Sequence, residues 1–298
     1  MGMALDPDGN VVVADSRNHA IRRVDPDGRV TTIAGGGVEG VRDGSCDRAR
    51  FAEPQGVAVD DAGAIYVADA ASHRIRRISP DCVVTTVAGG ASAAGEDWSG
   101  TFGHRDGPAE QALFREPSAV VFDHEGNLLI LDRGNGRIRM LSPDGMISTM
   151  AGGSPLPREG YSQANHGHRD GYAQQAFFFL PGGLAIDHEG SIFFTEYGGV
   201  RIIEDGGYVS TVLRTTHVRL GSELSLFTRG IAVGADGALY VADPYYDRVV
   251  RVTRDGMLTI VADGLANPTQ VLALPDGSLL VTDSGDNVIR KITFEGGQ

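Results

Sequence analysis

The sequence predicts an all-β chain, a six-bladed β-propeller of four-stranded antiparallel blades, the last blade having three strands or four. Three observations carry this. A two-part unit recurs six times, seen best where Gly56-Val-Ala-Val-Asp60 leads to Ile65-Tyr-Val-Ala-Asp69, and again where Gly230-Ile-Ala-Val233 leads to Leu239-Tyr-Val-Ala-Asp243. The second part ends at Asp15, Asp69, Asp132, Glu196, Asp243 and Asp283. These markers lie about 40 to 64 residues apart; the shortest interval fits one four-stranded blade of roughly 40–45 residues, and the longer ones fit a blade plus an inserted loop. Finally, the 42 glycines show no three-residue period, so they mark turns and not a collagen-like helix. One such sheet cannot bury both faces by itself, whereas six arranged radially can.

The blades are expected at approximately 1–37, 54–90, 117–153, 181–213, 229–264 and 268–298, within a single domain spanning 1–298. The first opens inside an inner strand and turns at Asp6-Pro-Asp-Gly9. The second is the most legible. Its inner strand is a continuous apolar run, as a strand buried on both faces requires. Asp60-Asp-Ala-Gly63 makes the hairpin, with Gly63 supplying positive φ. Arg74 to Ile78 forms the third strand; Ile75 and Ile78 lie three apart, which suits a helix as well, but brevity, β-branching and flanking turns favour a strand with a bulge. The turn Ser79-Pro-Asp-Cys82 then leads to the outer strand Val83 to Ala88. Other blades place Gly28, Gly145 and Gly256 where this one has Cys82. Cys82 is therefore expected in a left-handed conformation at a cost of about 1 kcal/mol, and Cys82→Gly is expected to raise the melting temperature. The third blade turns at Asp123-His-Glu-Gly126 and the fourth at Asp187-His-Glu-Gly190. The fourth has a shortened loop, Glu196-Tyr-Gly-Gly-Val-Arg201, and the fifth, at Thr228-Arg229-Gly230, lacks the usual proline. The sixth ends at Phe294-Glu-Gly-Gly297, where the others make their last turn. Its outer strand is thus expected to be missing, or the sequence is a piece of a longer protein.

The pattern Pro54-x-Gly56-Val-Ala-Val-Asp60, Ile65-Tyr-Val-Ala-Asp69, then Ser72-His73-Arg74, with Asn18-His19-Ala20 in the first blade, resembles the NHL repeat. The resemblance runs over almost the whole chain and implies a six-bladed propeller, while saying little about function. NHL-type amidating lyases hold zinc with channel histidines; the inner strands here, such as Val57-Ala-Val59 and Leu184-Ala-Ile186, carry none. Propellers of the gluconolactonase and paraoxonase type hold calcium in the central channel with Glu, Asn and Asp. By that likeness Glu53, Glu116 and Asn267, each next to a proline, are candidate metal ligands for an alternative reading as a calcium-type hydrolase or lyase.

The insertions all lead into inner strands and three repeat one design. Arg42-Asp43-Gly44, Arg105-Asp106-Gly107 and Arg169-Asp170-Gly171 are each followed by an alanine (Ala49, Ala112, Ala176) and an aromatic (Phe51, Phe114, Phe178). The Asp-Gly pair suits a tight turn, and the later stretch suits one helical turn whose Ala and Phe pack inward. One reading is a repeated plug between blades. The other is a ligand surface on which Arg42, Arg105 and Arg169 form an anion-binding set partly neutralised by Asp43, Asp106 and Asp170. Trp98 and Tyr161 on the longest insertions are candidate partner anchors. His166-Gly-His168 chelates a metal only if another ligand such as His104 converges; His104 and His168 are otherwise candidate partner contacts. The pairs Asp15/Arg22, Asp69/Arg76, Asp132/Arg139 and Asp283/Arg290 read as structural ties, because a catalytic acid needs no copies in four blades.

The formal net charge of −13 opposes binding to phosphate backbones, so RNA binding, known for some NHL propellers, is disfavoured. Cys46 and Cys82 are too few for a disulfide framework or a four-cysteine zinc site. No apolar run is long enough to cross a membrane, and the opening residues are not expected to be a signal peptide. A cytoplasmic protein is the default expectation, a piece of a longer exported protein the other. With no nucleophile elbow, zinc-protease helix motif or Walker lysine, the expected function is a non-catalytic scaffold without a cofactor, presenting its loop-rich face to a protein or other macromolecule.

Overall fold

Six antiparallel sheets follow one another along the chain, as the blades of an all-β, six-bladed propeller. The structure, a computed structural model, describes residues 2–90, 102–153, 169–214 and 228–294. The second blade shows the plan: inner strand Pro54–Val59, second Ile65–Asp69, third Arg74–Ile78, outer Val83–Ala88. A two-residue strand from the preceding insertion, Gly44–Ser45, adds to its outer edge, and Gly107–Pro108 and Gly171–Tyr172 do the same for the third and fourth blades. Among the described residues the strand counts are therefore four, five, five, five, four and three. The short loop of the fourth blade is a tight hairpin pairing Glu196 with Gly199.

The chain divides into two compact units, Met1–Met150 and Ala151–Gln298. In the first unit, Phe51, Val57, Val67 and Ile78 bury against Val12 and Ile21 of the blade before, and Phe114, Val120 and Ile130 against Ala58 and Ala68. In the second, Phe193, Val200 and Ile202 bury against Val241 and Val250, and Ala232 and Tyr240 against Val271 and Val281. The Pro-x-Gly glycine has a steric cause. A Cβ on Gly56 would stand 2.7 Å from Ala119 Cα and 2.8 Å from Ser118 O of the next inner strand, and one on Gly183 would stand 2.4 Å from Arg229 O. Successive inner strands come this close only without a side chain.

The third strand is a strand, and the bulge lies in its pairing with the outer strand. The register shifts between Ile75 and Arg76, where Ile75 faces Ala88 and Arg76 faces Thr86, leaving Val87 extra. The same shift recurs between Ile21 and Arg22, Val200 and Arg201, and Val249 and Val250.

Cys82 does take a left-handed conformation, at φ 64°. However, it is bonded to Cys46, with their Cα atoms 5.3 Å apart. This overturns the expectation that Cys82→Gly stabilises, since the change would break a crosslink that joins the inserted loop to the blade's last turn. Elsewhere the same two places are tied by one backbone hydrogen bond. The Ala109 amide donates to Gly145 O at 2.9 Å and the Ala173 amide to Gly207 O at 2.6 Å, as the Cys46 amide donates to Cys82 O at 3.1 Å. Two cysteines, too few for a framework, thus suffice for one staple. Among the described residues no helix is long and apolar enough to cross a membrane.

Candidate functional site

The three Arg-Asp-Gly loops fold onto an arginine that enters each blade from its third strand. Arg76 is fully buried, with Nη1 on Asp69 Oδ2 at 3.1 Å and Nη2 on Asp43 Oδ1 at 2.6 Å. The same guanidinium donates to the carbonyls of Arg42 and Arg50 at 2.9 and 3.0 Å and lies 5.2 Å from the Phe51 ring centre. Arg139 repeats this with Asp132, Asp106 and Phe114, and Arg201 with Glu196 and Asp170. The loop carboxylates therefore turn inward to these buried arginines and do not pair with Arg42, Arg105 or Arg169. Asp43 also accepts the Thr86 amide at 2.9 Å, and Asp106 the Thr149 amide at 3.1 Å. Burial pushes the carboxyls of Asp69 and Asp132 up to about 6, against their arginine partners and their hydrogen-bond donors, so both are ionised at neutral pH. The helical turns predicted for the insertions form at Ala109–Gln111 and Ala173–Gln175. Phe51 and Phe114 are buried and Phe178 half-buried. The buried arginines are what the sequence reading missed as receptors of the loops; the signal was their near-constant offset from the loop aspartates.

The named loop residues sit as follows. Arg42, Arg105 and Arg169 are exposed. Arg105 Nε donates to Gln111 O at 2.5 Å; Arg169 Nε donates to Gln175 O at 3.0 Å, with its guanidinium 4.2 Å from the Phe177 ring centre. His104 Nε2 lies 3.0 Å from Thr149 Oγ1, and burial, with Arg137 and Arg139 nearby, lowers its pKa. Trp98, Tyr161, His166 and His168 lie outside the described residues.

Glu53 and Glu116 come together in the first unit. With Gln55, Ala70, Ala71, His73 and Arg133 they line a half-open hollow of about 360 Å³. Both take left-handed conformations, at φ 54° and 50°. Their amides are capped by the histidines of the preceding loops: Glu53 N donates to His19 Nδ1 at 3.4 Å and Glu116 N to His73 Nδ1 at 3.1 Å. In the second unit Asn267, at φ 55°, has its amide capped by Asp247 Oδ1 at 2.8 Å. The residues that precede proline and the residues after the second strand are thus two halves of one recurring capping device. Burial holds the His73 pKa below its ordinary value of 6.5, against Glu116 and together with Arg74 and Arg115. The ring is therefore neutral at pH 7, as an accepting Nδ1 requires. Glu116 faces Arg133, with Oε2 and Nη1 3.8 Å apart. Among the described residues no three His, Cys, Asp or Glu side chains group to hold a metal.

Comparison with known proteins matches residues 2–24 and 51–78 to the NHL repeat. The chain is 31% identical to NHL repeat-containing protein 2 of Bos taurus over 60% of its length, and 26% identical to Teneurin-4 of Mus musculus over 99%. It is 39% identical to the chloroplastic protein SUPPRESSOR OF QUENCHING 1 of Arabidopsis thaliana over 26%. It spans only 25%, 11% and 8% of those proteins. Among solved structures, virginiamycin B lyase from Staphylococcus aureus superposes with a TM-score of 0.59 at 16% identity, covering 99% of this chain and 84% of that one. That likeness is one of fold.

Proposed function

We propose that this NHL-repeat, six-bladed propeller is a non-catalytic binding scaffold whose inserted loops present fixed side chains to a protein partner. One observation supports it above the others. The acids and bases repeated from blade to blade are consumed inside the fold as ties, while the exposed arginines stand on loops bolted down by those ties. The guanidinium groups of Arg105 and Arg169 are fixed in place by the Gln111 and Gln175 carbonyls, which accept from Nε. A preorganised cation loses little freedom on binding. The reading is tested by affinity capture with the Arg105→Ala/Arg169→Ala double variant. Loss of the captured partner with an unchanged melting temperature supports it; unchanged capture refutes it.

A further inference from the structure

The second and third blades carry the same local design with one residue exchanged. In the third, Glu116 precedes the inner-strand proline, and Arg133, the residue after Asp132, brings its guanidinium to within 3.8 Å of the Glu116 carboxylate. In the second, Glu53 precedes Pro54, and the residue after Asp69 is Ala70. The carboxylate is kept and its cation is gone. Ala71 is small as well, where the first blade has Arg17. These two alanines floor the hollow, whose 360 Å³ lies at the small end of ligand sites. Among the described residues the Glu53 side chain makes no hydrogen bond or ion pair. The side chains that line the hollow carry two carboxylates, one guanidinium and a neutral imidazole, with Arg74 and Arg115 acting on His73 from beside it.

We infer that the hollow over Ala70 and Ala71 receives an arginine side chain of a partner protein, its guanidinium beside Glu53 where the third blade has that of Arg133 standing 3.8 Å from Glu116. A planar fork meets a carboxylate through two parallel hydrogen bonds, and the alanine methyls lie along the aliphatic stem. The inference rests on the scaffold reading and names the partner's chemistry.

The test is a titration of the whole chain with N-acetyl-Gly-Arg-Gly amide, followed by backbone amide NMR shifts. The isosteric peptide with uncharged citrulline in place of arginine is the control. Shifts are expected at Ala70, Ala71 and His73 with arginine and not with citrulline. Glu53→Gln weakens binding about tenfold, and Ala70→Arg, which fills the place from within, abolishes it. Glu53 is exposed, whereas Ala70 is 2% exposed and sits at the place that Arg133 holds in the third blade; an unchanged melting temperature is required of each variant, and Glu53→Gln alone decides if Ala70→Arg fails to fold. An equal response to citrulline, or undiminished binding by either variant, overturns the inference. That failure leaves the Arg105/Arg169 capture result untouched, whereas unchanged capture in the loop variant faults the scaffold reading with the peptide shifts intact.

Discussion

At Arg76, Arg139 and Arg201 a fully buried guanidinium is surrounded by two carboxylates and backbone carbonyls. Desolvating such a charge is costly, and the cost is offset only while its partners stay. Asp132→Ala is therefore expected to destabilise by about 3–5 kcal/mol, read from the denaturant midpoint. Asp106→Ala should cost less, because its carboxylate is partly exposed and solvent can replace it. His73 supplies a second prediction. Its pKa is lowered in the folded chain, so the unfolded chain takes up the proton first. The stability tied to neutral His73 is complete above its ordinary pKa of 6.5 and is lost as the pH falls below it. Asparagine holds the same place in the sixth blade, at φ 57°. His73→Asn keeps both the left-handed backbone and a side-chain acceptor. Melting curves of this variant should lose part of the wild-type decline between pH 6.5 and 5; an unaltered decline would show that His73 titrates without consequence.

Among the elements, the inserted loops decide how each blade is finished. Phe114 is buried under Arg139, and removing it leaves a void under a buried charge. Phe114→Ala should cost about 3–5 kcal/mol by chemical denaturation. The staple Cys46–Cys82 spans a sequence separation of 36. Closing a loop of that size removes about 4 kcal/mol of unfolded-chain freedom, more than the about 1 kcal/mol relieved by glycine at Cys82. Cys82→Gly should thus lower the melting temperature. The double variant Cys46→Ala/Cys82→Gly copies the Ala109/Gly145 pair of the third blade. Reductant should lower the melting temperature of the natural chain and leave that of the double variant unmoved.

For the whole molecule, 39 acidic residues against 26 basic ones set a repulsive field toward phosphate backbones. Single-stranded RNA should show no retardation with this chain in gels run at low salt. The Asp-x-x-Gly hairpins, the apolar inner strands and the Pro-x-Gly lead were legible along the chain, because each is set by local steric and hydrophobic periodicity. The bulge was legible at the third strand, although not which partner carried the extra residue. The plug was legible from Ala112 and Phe114 as one of two readings, and Cys82 was read in the right backbone conformation with the wrong consequence. Sequence alone therefore determined the blade, its turns and its count, which follow from interactions between near neighbours. Only the tertiary structure decided that Asp43 serves Arg76, that Cys46 meets Cys82, and that Ala70 opens a hollow beside Glu53. Those pairings join residues far apart in the chain, and no local period encodes which distant side chain packing will bring within bonding distance.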